Sequence, residues 1–186
     1  MFLKENPDGK AQIYLVLSSP KRVKENNINL IREVLKEGEK VLIISINQPA
    51  QYLYELYMSR GIPLENVLFI DAITKYAMGK PGDGIPNCKY LNSPGDLTSL
   101  SIAVSESLKE NQNQKIYLLM DSVNAMLIYL PSASITKFFH FLTSKLKIMN
   151  LSGIYLAIEG GLDPMIFSQL TAFSDAVIDL EKEQPE

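Results

Sequence analysis

Six short apolar runs limit what this chain can fold into: AQIYLVL (11–17), KVLIISI (40–46), VLFIDA (67–72), KIYLLMD (115–121), GIYLAIE (153–159) and AVIDLE (176–181). Each is nearly continuous in Ile, Val, Leu and Tyr. Strands covered on both faces read this way, whereas half-exposed strands alternate. Helix-period stretches lie between them, at about 26–37, 49–60, 96–110, 133–149 and 164–173. In the third, Asp96 stands at a cap position and Leu97, Leu100, Val104 and Leu108 form one apolar stripe. Gly38 and Gly61 stand where helix-ending glycines belong. Such alternation implies a mainly parallel sheet with right-handed crossovers and helices on both faces, a three-layer α/β/α architecture. Tyr14, Val16, Leu42, Ile44, Leu118, Met120, Leu156 and Ile158 are its expected buried strand residues.

Composition narrows the setting. The 186 residues suffice for one domain with a full core, and residues 1–186 read as a single domain. One cysteine, Cys88, excludes an intrachain disulfide and any multi-Cys metal site. A net charge of −3 gives no global attraction to nucleic acid or anionic lipid. No apolar run reaches a membrane span, and the opening MFLKENPDGK lacks the apolar stretch of a signal peptide. Together these features point to the cytoplasm. The tail EKEQPE is charged and is expected to fray. One segment, 73–95, is too long and too rich in Gly and Pro for an ordinary connection, so 76–92 is expected to be mobile or exposed.

The fourth run ends on Asp121 followed by Ser122. In nucleotide-hydrolysing α/β proteins an acid at this place helps to hold Mg²⁺, and it works opposite a phosphate loop. That loop belongs after the first strand, as GxxxxGK[ST]. Its glycines let backbone N–H groups curl around phosphate, its Lys reaches the β/γ oxygens, and its Ser/Thr binds Mg²⁺. Here the place reads SSPKRVKE, 18–25. Ser18 and Val23 take the glycine positions, Lys24 falls on the lysine position, and Glu25 replaces the hydroxyl residue. Val23 is β-branched and resists positive φ, and Glu25 sets a like charge beside any phosphate. The glycines of GKPGDG (79–84) neither follow a strand directly nor open a helix, so they are no substitute.

With these segments in view, the chain resembles the RecA superfamily, and within it the KaiC-like and archaeal RadA-related ATPases. The resemblance spans residues 11–181. It is carried by KEGEKVLIISINQPAQYLYELYMSRGIPLENVLFIDA, by IYLLMDSVNAMLIYLPSASITKFFHFLTSKLKIMNLSGIYLAIE and by LTAFSDAVIDLE, in that order. It implies a RecA-like P-loop NTPase fold with about six strands ordered 3-2-4-5-1-6, and it puts Asp121 in the Walker B place. It also locates departures. The family's catalytic glutamate follows the second strand, where this chain has Asn47 and Gln48, amides that cannot activate water. The family's basic hairpin after the last strand has no counterpart before Glu186.

The expected function is therefore a non-catalytic, pseudo-ATPase regulatory or scaffold role through protein–protein contacts. Homo-oligomers or assembly with an active RecA/KaiC-like relative are the expected partners. Asp121 and Ser122 read as a vestigial Walker B site, with Asp121 capping the turn that Ser122 begins. No catalytic residue, metal site or cofactor is expected. The alternative is weak ATP, ADP or phosphate binding without hydrolysis, at an anion site formed by Ser18, Ser19, Lys21, Arg22 and Lys24 at a helix N-terminus. His140, between two phenylalanines, and Cys88 read as structural, and Asp71 as a strand-end turn cap.

Overall fold

A computed structural model describes Leu3 and residues 8–182. The readings of the N-terminus at residues 1, 2 and 4–7, and of the tail at 183–186, lie outside the described residues. Six strands fall on the apolar runs: β1 (Ile13–Ser18), β2 (Lys40–Ser45), β3 (Val67–Asp71), β5 (Ile116–Asp121), β6 (Gly153–Ile158) and β7 (Ala176–Asp179). A further strand, β4 (Cys88–Tyr90), precedes β5 in the chain. The helices are α1 (Val23–Lys36), α2 (Ala50–Ser59), α3 (Thr74–Met78), α4 (Leu97–Glu110), α5 (Val123–Met126), α6 (Ser132–Ile148) and α7 (Pro164–Phe173).

Every strand pairing is parallel, and the sheet runs β4-β3-β2-β5-β6-β1-β7. The expected count of about six is corrected to seven. The added strand joins at one edge, where Cys88–Tyr90 pairs with Phe69–Asp71. The other six keep the neighbours expected of them. The 73–95 segment is accordingly less irregular than its composition suggests, since it carries α3 and β4. Most of 76–92 is nonetheless exposed, with Leu91 the buried exception.

Strand pleating sorts the buried side chains into two cores. Ile13, Leu15 and Leu17 of β1 pack beneath α4, α5, α6 and α7, with Phe138, Phe139 and Leu142 of α6. Tyr14 and Val16 point the other way, into a core closed by Ile28 and Ile31 of α1 and by Leu53 and Tyr57 of α2. Seven of the eight strand residues expected to be buried are so; Ile158, at the open end of β6, is half-buried. Helix ends follow local chemistry. The Asp96 carboxylate accepts the Ser99 N–H at 2.9 Å. Gly38 (φ 75) and Gly61 (φ 69) take the left-handed conformation that lets the chain leave α1 and α2. No helix among the described residues is long and apolar enough to cross a membrane.

Candidate functional site

The carboxyl ends of β1, β2, β3 and β5 bring the residues singled out in the sequence to one end of the sheet, the place where open α/β folds bind ligands. The β1–α1 connection is Ser19 to Arg22. Its backbone closes on itself, because the Arg22 and Val23 N–H groups both donate to the Ser19 carbonyl, at 3.1 and 3.0 Å. Pro20 has no N–H. The Ser19 N–H donates to the Glu181 carboxylate at 3.2 Å, and the Arg22 guanidinium lies 3.9 Å from the same carboxylate. The chain's own acid thus lies against this turn.

The other loop residues have partners as well. Ser18 is fully buried; its hydroxyl accepts from the Asn26 amide at 2.8 Å and donates to the Ser19 carbonyl at 3.2 Å. Lys24 donates to the Tyr52 hydroxyl at 2.8 Å and lies over that ring. Glu25 is gripped at both oxygens by Arg60, at 2.6 and 2.9 Å, which holds its carboxyl below the usual range. Lys21 is exposed beside this turn.

Asp121, at the end of β5, is 5 % exposed. Burial pushes its carboxyl up to about 6, while the Asn27 amide offsets part of that effect. The Asn27 amide nitrogen is buried and does not reach hydrogen-bond geometry with any partner, whereas its carbonyl accepts from the buried Tyr57 hydroxyl at 2.7 Å. The Asn26 side-chain carbonyl is likewise buried without a partner. The peptide between Asp121 and Ser122 is cis.

The cap expected of Asp121 is corrected by this geometry. Its main-chain carbonyl receives the Ile46 and Asn47 N–H groups at 3.3 and 3.4 Å, and no hydrogen bond joins its carboxylate to the α5 turn. Ser122 is 1 % exposed and its hydroxyl caps nothing. Asn124 instead ties α5 to β6. Its side chain accepts the Ile158 N–H at 2.7 Å, and its amide lies where a Cβ on Gly161 would stand, at 2.5 Å. Asn47 is exposed and Gln48 half-exposed, next to the β5 end.

Asp71 behaves as a turn cap. It is fully buried and accepts the N–H groups of Ala50, Ile73 and Thr74 and the Thr74 hydroxyl, at 2.6–2.8 Å. His140 lies away from this end, whereas Cys88 opens the edge strand β4, whose Tyr90 pairs with Asp71. Burial pushes the Cys88 thiol up to about 12, outside nucleophilic range. His140 is exposed and packs edge-on to Phe173. Among the described residues no three His, Cys, Asp or Glu side chains gather as a metal site.

Sequence reasoning missed Asn26, Asn27, Tyr57 and Glu181. Asn27 carries a signal, an amide on the same helical face as Val23, Leu30, Ile31 and Val34. Tyr57 and Glu181 carry none, because their partners stand 30 and 162 residues away.

A family model described as "Family of unknown function (DUF7504)" matches residues 39–180. No curated protein matches the sequence. Solved structures do. One is a KaiC-like protein from the hyperthermophilic archaeon Pyrococcus horikoshii, 16 % identical, TM-score 0.67, covering 91 % of this chain and 72 % of that one. Another is an uncharacterized protein from the same organism, in complex with an unknown peptide, 14 % identical, TM-score 0.71, covering 91 % and 77 %. The likeness is one of fold, and it supports a RecA/KaiC-like fold for this chain.

Proposed function

For a chain that belongs to DUF7504, the match covering residues 39–180, we propose a non-catalytic role on the RecA/KaiC-like fold: a regulatory or scaffold protein of the cytoplasm that acts through protein–protein contacts. One observation carries the reading. Three of the amides that a phosphate loop would present are engaged within the molecule, Arg22 and Val23 on the Ser19 carbonyl and Ser19 on Glu181. An incoming phosphate would have to displace a carboxylate and unmake a turn. The rest of the hydrolytic apparatus fits the same reading. Asn47 and Gln48 offer no base. Asp121 lies buried, where loss of solvent makes its ionisation harder. Phosphoryl transfer needs charge stabilisation and a positioned water together, and the residues at the loop and base positions supply neither a loop of open amides nor a base. The peptide bound to the second Pyrococcus horikoshii protein is in keeping with a fold used for protein contacts.

A second reading keeps weak ATP, ADP or phosphate binding without turnover. It rests on Lys21, exposed, and Arg22, both at the N-terminus of the 14-residue α1. Calorimetric titration with ATP and ADP, with and without Mg²⁺, separates the two. The scaffold reading expects no heat up to millimolar ligand. Micromolar binding supports the second reading instead. Phosphate release at about 1 s⁻¹ or faster would overturn both.

A further inference from the structure

Between α4 and α6 runs a groove of about 680 Å³ on the outer side of one helical layer. Leu97 and Ile102 line it from α4, and Phe138 and Phe141 from α6. Ile102 is 54 % and Phe141 42 % exposed, two large apolar side chains open to solvent, with the Lys145 ammonium 6.0 Å from the centre of the Phe141 ring. Each wall also carries one charge, Glu106 on α4 and Lys137 on α6.

That charge arrangement selects an occupant. A two-fold interface uses the same patch on both copies, so the patch must complement itself. A two-fold axis running along the groove, and not one running across it, would lay each α4 wall against the partner's α6 wall. In that arrangement the wall carrying Glu106 faces the wall carrying Lys137 on both sides of the axis, with the apolar side chains of the groove between. Glu106 has the freedom to turn to that lysine. It shares Lys89 with Glu110, at 3.2 and 3.0 Å, so Lys89 keeps a partner when Glu106 turns to another. We infer that the α4–α6 groove is the self-association face of this protein, and that its occupant is a second copy of the chain, docked two-fold with Glu106 of each copy facing Lys137 of the other.

The inference gives a site to the protein contacts of the proposed function and rests on that reading only there. Sedimentation equilibrium of the full chain tests it. The wild type is expected at twice the 20.9 kDa monomer mass, and Phe141→Glu at the monomer mass. Where Phe141→Glu fails to fold, as judged by circular dichroism, Ile102→Glu gives the same reading. Glu106→Lys and Lys137→Glu alone are each expected to weaken the dimer about tenfold or more, since each sets like charges together twice, and the double exchange to restore it to within about threefold of wild type. A wild type monomeric at about 100 μM overturns the inference, even if another protein is found to fill the groove. So do single exchanges without effect, or a double exchange that stays monomeric. Failure here is distinct from failure of the functional reading. A monomer that binds no nucleotide removes the dimer and leaves the scaffold; a dimer that binds ATP at micromolar concentration does the reverse.

Discussion

Asp71 and Asp121 end strands that flank β2, and Ser45 of β2 stands in register with both. Both carboxyls are buried, at 0 % and 5 % exposure. Their surroundings are opposite. Asp71 receives four hydrogen bonds and joins β3 to the starts of α2 and α3. Asp121 has one inward-facing amide that falls short of it, and its carboxyl is pushed up to about 6. Burial is therefore no guide to what an acid does for a fold. The donors around it decide whether the charge stabilises or destabilises the native state.

The largest expected effect tests the stabilising member. Asp71→Ala leaves the buried Ala50 N–H, the half-buried Ile73 and Thr74 N–H groups and the Thr74 hydroxyl without their acceptor, and should cost about 3 kcal/mol or more in urea unfolding. A loss below about 1 kcal/mol would erase the contrast.

Asp121→Asn is expected to do the opposite at neutral pH. The folded carboxyl is raised from 3.8 to about 6, so the native state favours the neutral form. That preference is fully present below pH 3.8 and is lost as pH rises through 6. Two pH units correspond to about 3 kcal/mol as an upper figure. The variant should therefore gain up to that amount over wild type at pH 8 and less than about 1 kcal/mol at pH 4. Equal gains at both pH values would show that the charge is not the cause.

Tyr57→Phe removes the hydroxyl that Asn27 accepts. It should destabilise by about 1 kcal/mol, and by a similar amount in the Asp121→Asn background if Tyr57 and Asp121 act independently. Smallest of all should be Glu25→Gln. Its pairing with Arg60 is exposed to solvent, so the unfolding midpoint should stay within error of wild type, and any dependence on salt should be weak.

The sequence discloses the doubly covered strands because continuous runs such as KVLIISI have few other uses in a soluble chain. It does not disclose β4. Cys88, Lys89 and Tyr90 are too few to show a period, half-buried at an edge, and enclosed by turn residues. It shows that the β1–α1 turn lacks glycines, which is local chemistry. It does not show that Glu181 lies against that turn, because the contact depends on β7 pairing beside β1. The Asp71 and Asp121 difference was hidden for a similar reason. Both read as strand-end acids, and only the packing of α1 and α2 decides which one finds donors.

The strand order also sets a timetable for the emerging chain. β1 is the first strand made, yet both its neighbours come last: Ile13 pairs with Gly153, and Tyr14 with Ala176. β2, β3, β4 and β5 are contiguous in the sheet and finish at Asp121, so they can assemble while the rest is still being synthesised. The first strand has no hydrogen-bonding neighbour to join until β6 has been added, some 140 residues later. Closing so long a loop is slow compared with local pairing. Throughout that interval Ile13 to Leu17, a run buried along its whole length in the finished protein, stays open to chaperones and to other nascent chains.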